Sequence, residues 1–216
     1  MDKLLERVDE KGLFAGHQGE EYWHFYEWRA GMHTLGITEP GFYEAPMQAF
    51  VADAFCCFAE ICRLLGRKGG EQYQRACDDL LKKAHEVFFD EKTGAYLTRP
   101  NDQAPVHELT QALMLYVGAV PEEHKASVEQ AILSEKLIRT SLSMTIFTYE
   151  ALLQNPENRA YVLGQIQAVW SRMLAAGAKT FWETEAGSED FGRSGSLCHG
   201  WSAVPVYIFG RYGLGE

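Results

Sequence analysis

The chain has 216 residues, of which 46% are hydrophobic, 12% aromatic and 23% charged, a balance that excludes wholesale disorder and fibrous repeats. Lys plus Arg number 20 against 30 Asp plus Glu, a formal charge of −10, whereas a nucleic-acid partner would want a basic face. A chain of this length can bury a real core without staples.

Leu4, Leu5 and Val8 suggest a short first helix, and Tyr22 to Met32 is aromatic-rich with no clean period. From Met47 to Leu65 the apolar residues follow the helical i, i+3, i+4 rule, and Gly66 is placed to close that helix. Tyr73, Ala76, Cys77, Leu80, Leu81, Ala84 and Phe88 repeat the pattern in a second segment. Val87-Phe88-Phe89 and Ala95-Tyr96-Leu97 flank a polar turn and predict one short hairpin. A third long helix carries Leu109 to Val117 and stops at Gly118, and a fourth opens at Pro121-Glu122-Glu123. A fifth is expected from about Leu142 to Gln154. The sixth has Asn155 as cap and Pro156 at its first position and ends at Gly177. A last helix from Ser196 to Arg211 would have to kink at Pro205. No Ser-, Pro- or Gly-rich linker divides the chain, so the expectation is one all-α domain over 1–216, its helices paired in two layers as in an α/α toroid or a bundle.

Cys56, Cys57, Cys62, Cys77 and Cys198 form no C-x-x-C pair, and Cys62 and Cys77 fall on apolar faces where a free thiol behaves as a small hydrophobe. The start shows no cationic stretch followed by an apolar one. The most apolar run, Ala45 to Leu65, is interrupted by Asp53, Glu60 and Arg63, against a membrane span. A reducing, cytoplasmic setting is expected, with no membrane or nucleic-acid partner.

Two stretches set carboxylates beside tryptophan in loop-like sequence: Tyr22-Trp23-His24-Phe25-Tyr26-Glu27-Trp28 and Lys179-Thr180-Phe181-Trp182-Glu183-Thr184-Glu185. Sugars present apolar C–H faces and hydroxyl rims, so their sites combine flat aromatics with carboxylates. Cleaving a glycosidic bond needs two carboxyl groups, one protonated and one ionised, and an adjacent indole raises a carboxyl pKa by desolvation. Aromatic loops capping a core give the same composition. Gly192 to Ala203 adds His199 and Trp201 near a helix start, where the imidazole either contacts a hydroxylated ligand or is a satisfied structural residue. Cys198 and His199 are adjacent and would point apart on a helix, which excludes them as a nucleophile–base dyad. His107-Glu108 does not extend to H-E-x-x-H, because position 111 is Gln111. No nucleotide-binding glycine loop is present, and the remaining histidines lack metal-like spacing, so neither cofactor nor metal is expected.

Thr180-Phe181-Trp182-Glu183, a Gly/Ser-rich loop and Ser196-Leu197-Cys198-His199-Gly200-Trp201-Ser202-Ala203 resemble the C-terminal signature of α-L-rhamnosidase-type six-hairpin glycosidases, glycoside hydrolase family 78 and its relatives. Tyr22 to Trp28, Tyr43-Glu44-Ala45-Pro46 and His107 to Leu113 also resemble segments of that family, in the same order. The resemblance implies an (α/α)6 toroid and inverting hydrolysis of a terminal α-L-rhamnosyl or similar residue. It makes Glu183 the general base and Trp182 a wall of the pocket. His199 would contact sugar hydroxyls, and Trp201, Glu27 and Trp28 would line the same cavity. Inversion calls for an acid facing Glu183 across roughly 6.5–9.5 Å, and Glu27 is the candidate within this chain.

Periodicity accounts for about seven or eight helices, against the twelve of the family toroid, and no segment before Trp23 carries the family's clustered acid motif. The expectation is therefore an incomplete toroid, the C-terminal half of a catalytic domain. Its uncovered apolar faces would be buried by a second copy or by a chain supplying the upstream half. A non-catalytic carbohydrate-binding remnant and a ligand-free helical scaffold are the alternatives.

Overall fold

The computed structural model describes residues 1–213. The chain forms two compact units, Met1–Ile138 and a second beginning at Arg139. The first holds α1 (Asp2–Leu5), β1 (Trp23–Phe25), β2 (His33–Leu35), α2 (Ala45–Leu64), α3 (Gly70–Phe88), β3 (Phe89–Asp90), β4 (Ala95–Tyr96), α4 (Glu108–Tyr116) and α5 (Glu122–Leu133). The second holds α6 (Thr145–Leu152), α7 (Arg159–Ala175) and α8 (Val204–Tyr212), with short 3-10 turns before α7 and α8. The all-α expectation is met, with strands confined to two short antiparallel hairpins among the described residues.

Helix boundaries follow local chemistry. Pro46 sits in the first turn of α2, where it has no helical N–H to forfeit. Gly66, Gly118 and Gly177 follow α2, α4 and α7 with φ of 62°, 76° and 84°, the left-handed conformation that ends a helix. The Asn155 side chain accepts from the Glu157 N–H, but the turn it caps is 3-10, and α7 proper begins at Arg159.

In the first unit α2 and α3 form a hairpin. A Cβ on Gly70 would stand 3.0 Å from Cys62 Cβ and 3.2 Å from the Ala59 carbonyl oxygen, so glycine is what lets the two backbones approach. Helix α4 is buried along its whole first two turns, Glu108 to Leu115, whereas α5 buries only Val128 and Ile132. One buried helix and one amphipathic partner is the two-layer arrangement the apolar patterns imply. Two carboxamides fasten the preceding segments, at Phe14 and in strand β4, to these helices. Gln48 accepts from the Phe14 N–H at 2.8 Å and donates to the Phe14 carbonyl and to Glu44 O, both at 3.2 Å. Gln111 accepts from the Tyr96 N–H at 2.7 Å and donates to the Tyr96 carbonyl at 2.7 Å and to His107 O at 3.4 Å.

Three local expectations are corrected. The last helix starts at Val204, because the backbone of residues 196–199 is hydrogen-bonded to residues 181–183 instead of to a helical turn. Pro205 then lies in the first turn and kinks nothing. The aromatic segment near Trp23, which shows no clean period in the sequence, is a strand, paired Trp23 to Leu35 and Phe25 to His33.

The third correction concerns Cys77, which is joined to Cys56 by a disulfide between α3 and α2. Cys57, Cys62 and Cys198 are free. Alkylating the unreduced, unfolded protein is expected to label three cysteines, and reduction to cost on the order of 3 kcal/mol for a loop of this length. Five labelled cysteines would instead fit the reducing compartment expected from the sequence.

Candidate functional site

In the second unit, Gly177 turns the chain at the end of α7, and the Trp182-Glu183 segment then runs beside the His199 segment. The Glu183 N–H donates to Ser196 O at 2.9 Å, the His199 N–H to Phe181 O at 2.7 Å, and Thr180 Oγ1 to Leu197 O. The Glu183 carboxylate closes the ladder by accepting from the Ser196 N–H at 3.1 Å. Two motifs separated by a Gly/Ser-rich loop are thereby held side by side.

The aromatic residues differ in their setting. Trp182 is half-buried, and a Cβ on Gly187 would come within 2.7 Å of its ring, so only glycine lets the indole pack this closely there, where φ is 57°. Ser202 Oγ donates to Trp182 O and to His199 O, the latter at 2.9 Å, and Ser202 O accepts from Trp170 Nε1 at 3.0 Å. The half-buried His199 ring meets Trp201 edge-on at 5.3 Å, and Trp201 leaves 66% of its surface to solvent. Glu183 is itself half-buried, and the neighbouring Thr184 hydroxyl is buried without a hydrogen-bond partner among the described residues.

In the first unit, strand alternation sorts the aromatic segment onto two faces. Trp23 and Phe25 point outward, join Trp28 and His33 with ring centroids 4.7–6.4 Å apart, and leave Trp23 49% and Trp28 51% exposed. His24 and Tyr26 point inward to Glu44, whose side chain is 1% exposed. Glu27 is buried beside them in sequence.

Glu44 is the hub of that inner face. Its Oε2 accepts from Tyr26 OH at 2.8 Å and lies 3.1 Å from His24 Nδ1. Its Oε1 accepts from Arg99 Nε at 3.3 Å and Nη2 at 3.0 Å. Arg99 Nη2 also donates to Thr34 Oγ1 and to Gly31 O, and His107 Nε2 reaches Ala30 O at 2.8 Å. The turn following Glu27 and Trp28 is thus tied to Arg99 and His107. Burial, and then the Glu44 charge, push the Tyr26 hydroxyl well above its ordinary pKa, and burial lowers that of His107.

Trp182, Glu183, His199 and Trp201 are therefore brought into one loop pair, while Glu27 and Trp28 lie on the first unit's hairpin. The Glu44–Arg99–His24–Tyr26 cluster has no counterpart in the residue roles read from sequence. Its one visible trace is an acidic residue directly before the Ala-Pro start of α2. Among the described residues no group of three or more His, Cys, Asp or Glu could hold a metal ion.

The fold defined by these hairpins is that of solved glycosidases of the rhamnosidase type. A GH78 family rhamnosidase of Bacillus sp. GL1 superposes with a TM-score of 0.81 at 23% identity, over 98% of this chain and 22% of that one. A rhamnosidase from Klebsiella oxytoca with rhamnose bound gives 0.77 at 20% identity, over 97% of this chain and 40% of that one. The chain thus spans less than half the length of either. No protein-family profile and no curated protein matches the sequence.

Proposed function

We infer that the chain is the C-terminal part of a glycoside hydrolase of α-L-rhamnosidase type, with a carbohydrate as its substrate. The observation that carries the reading is the loop pair joining Trp182-Glu183 to His199 and Trp201, on a fold shared with two rhamnosidases. A ligand-free scaffold would bury its indoles and expose the carboxylate, yet Trp201 is largely exposed and Glu183 half-buried. In the proposed chemistry Glu183 is the general base that takes a proton from the attacking water. That water attacks the anomeric carbon from the side opposite the leaving group, inverting the centre. Trp182 walls the sugar site, and His199 and Trp201 contact the sugar. A second carboxyl group must protonate the leaving oxygen as the bond breaks.

Incubation with 4-nitrophenyl α-L-rhamnoside, read by proton NMR, tests this: the first product is expected to be the β-anomer. Absence of turnover together with sugar-dependent quenching of tryptophan fluorescence would move the reading to the carbohydrate-binding alternative. We also propose that a second copy or an upstream-half chain covers apolar residues such as Leu64, Leu65, Leu174 and Val206, which are exposed here. Light scattering at micromolar concentration should find an assembly larger than the monomer, and a monodisperse monomer would overturn the self-association arm.

A further inference from the structure

The first unit contains a cleft of about 690 Å³ whose lining includes Lys11, Glu39, Phe42, Arg99 and Asn101. Its size lies in the range of small-molecule sites. Arg99 forms part of its wall, and the buried Glu44 holds that guanidinium through Nε and Nη2. Arg99 Nη1 has no hydrogen-bond partner among the described residues, and the guanidinium carbon stands 5.3 Å over the Phe42 ring. The cleft wall therefore includes a guanidinium held in place by Glu44, with Nη1 left unengaged by the described residues.

The charges decide which ligand fits. Lys83, also in the lining, is paired with Glu86 at 2.9 Å. With Arg99 and Lys83 neutralised, Lys11 faces two carboxylates, Glu10 and Glu39. That balance repels phosphate and carboxylate ligands. Glu39 carboxylate, Asn101 carboxamide and Lys11 ammonium make no side-chain hydrogen bond among the described residues, so acceptors and donors are both available. Pro40 and Phe42 supply a small apolar patch between them. Acceptors, donors and a hydrocarbon surface at net charge near zero or below are complementary to a neutral polyol ring.

We propose that this cleft is a second carbohydrate site, taking a neutral pyranose residue with Arg99 Nη1, Asn101 and Glu39 on its hydroxyls and Phe42 against its C–H edge. The proposal rests on the carbohydrate reading for its ligand class, but on no catalytic role for Glu183. The test is a titration of the isotope-labelled full chain with L-rhamnose, followed by amide NMR, beside the same titration of Glu39→Gln/Asn101→Ala. Both substituted side chains are exposed, so the fold should survive.

The expected result is movement of the Phe42 and Asn101 amides in the wild type, and affinity at the cleft about tenfold or more weaker in the variant, as for two lost polar contacts. Shifts confined to residues 180–183 and 196–201 would overturn the second site and leave the hydrolase reading standing. Shifts at Phe42 in a protein that does not hydrolyse rhamnosides would support the cleft while the hydrolase reading fails. No shift anywhere would overturn both.

Discussion

Glu183→Gln is expected to lower kcat for rhamnoside hydrolysis by ~10²–10⁴-fold, the usual contribution of a positioned proton-transfer group, without lowering the melting temperature. The substitution is informative because Glu183 has two jobs. Its Oε2 accepts from the Ser196 N–H, and the amide oxygen of Gln can go on accepting there. What Gln cannot do is take a proton from water. Glu183→Ala removes both jobs and should loosen the loop pair as well, visible as a changed tryptophan emission from Trp182 and Trp201. Unchanged turnover in the Gln variant would show that the carboxylate is only a brace for the ladder.

The second large effect is expected at Glu44. Its carboxylate is nearly sealed from water and serves Arg99, Tyr26 and His24 together. Glu44→Ala should cost about 3–5 kcal/mol, the usual loss when one member of a buried ion pair is removed and its partner is stranded. Urea denaturation measures it directly. Arg99→Lys should also be costly, since an ammonium cannot reproduce the Nε and Nη2 contacts to Glu44 while reaching Thr34 and Gly31. A change below 1 kcal/mol in Glu44→Ala would mean that water replaces the carboxylate and that the hub carries no stability.

The helical skeleton was legible in the sequence because its determinants are local. Gly66, Gly118 and Gly177 end helices where the apolar period stops, and each has a positive φ. The site motifs were legible as composition, and their pairing across the loop at 184–195 came with the family resemblance. Glu44 and Arg99 were not, because contacts spanning 55 residues leave no periodic trace. The stretch from Ser196 to His199 misled for a related reason. Its residues tolerate a helix, but its backbone groups pair with the neighbouring segment at Phe181 and Glu183, which outweighs local preference. The Trp23 strand hid because both its faces carry aromatic rings, so no polar alternation marks it. The Cys56–Cys77 bond needs the α2–α3 register, which apolar spacing alone does not supply.

Gln48 and Gln111 occupy equivalent places. Each lies four residues after the residue that caps its helix, and each grips one residue of the preceding segment, Phe14 or Tyr96, by both backbone groups. The two helical hairpins thus share one device, a carboxamide one turn into the inner helix that anchors the segment preceding it. Each carboxamide ties its own hairpin to the segment before it, so hydrogen exchange in residues 1–138 should resolve into hairpin-sized steps.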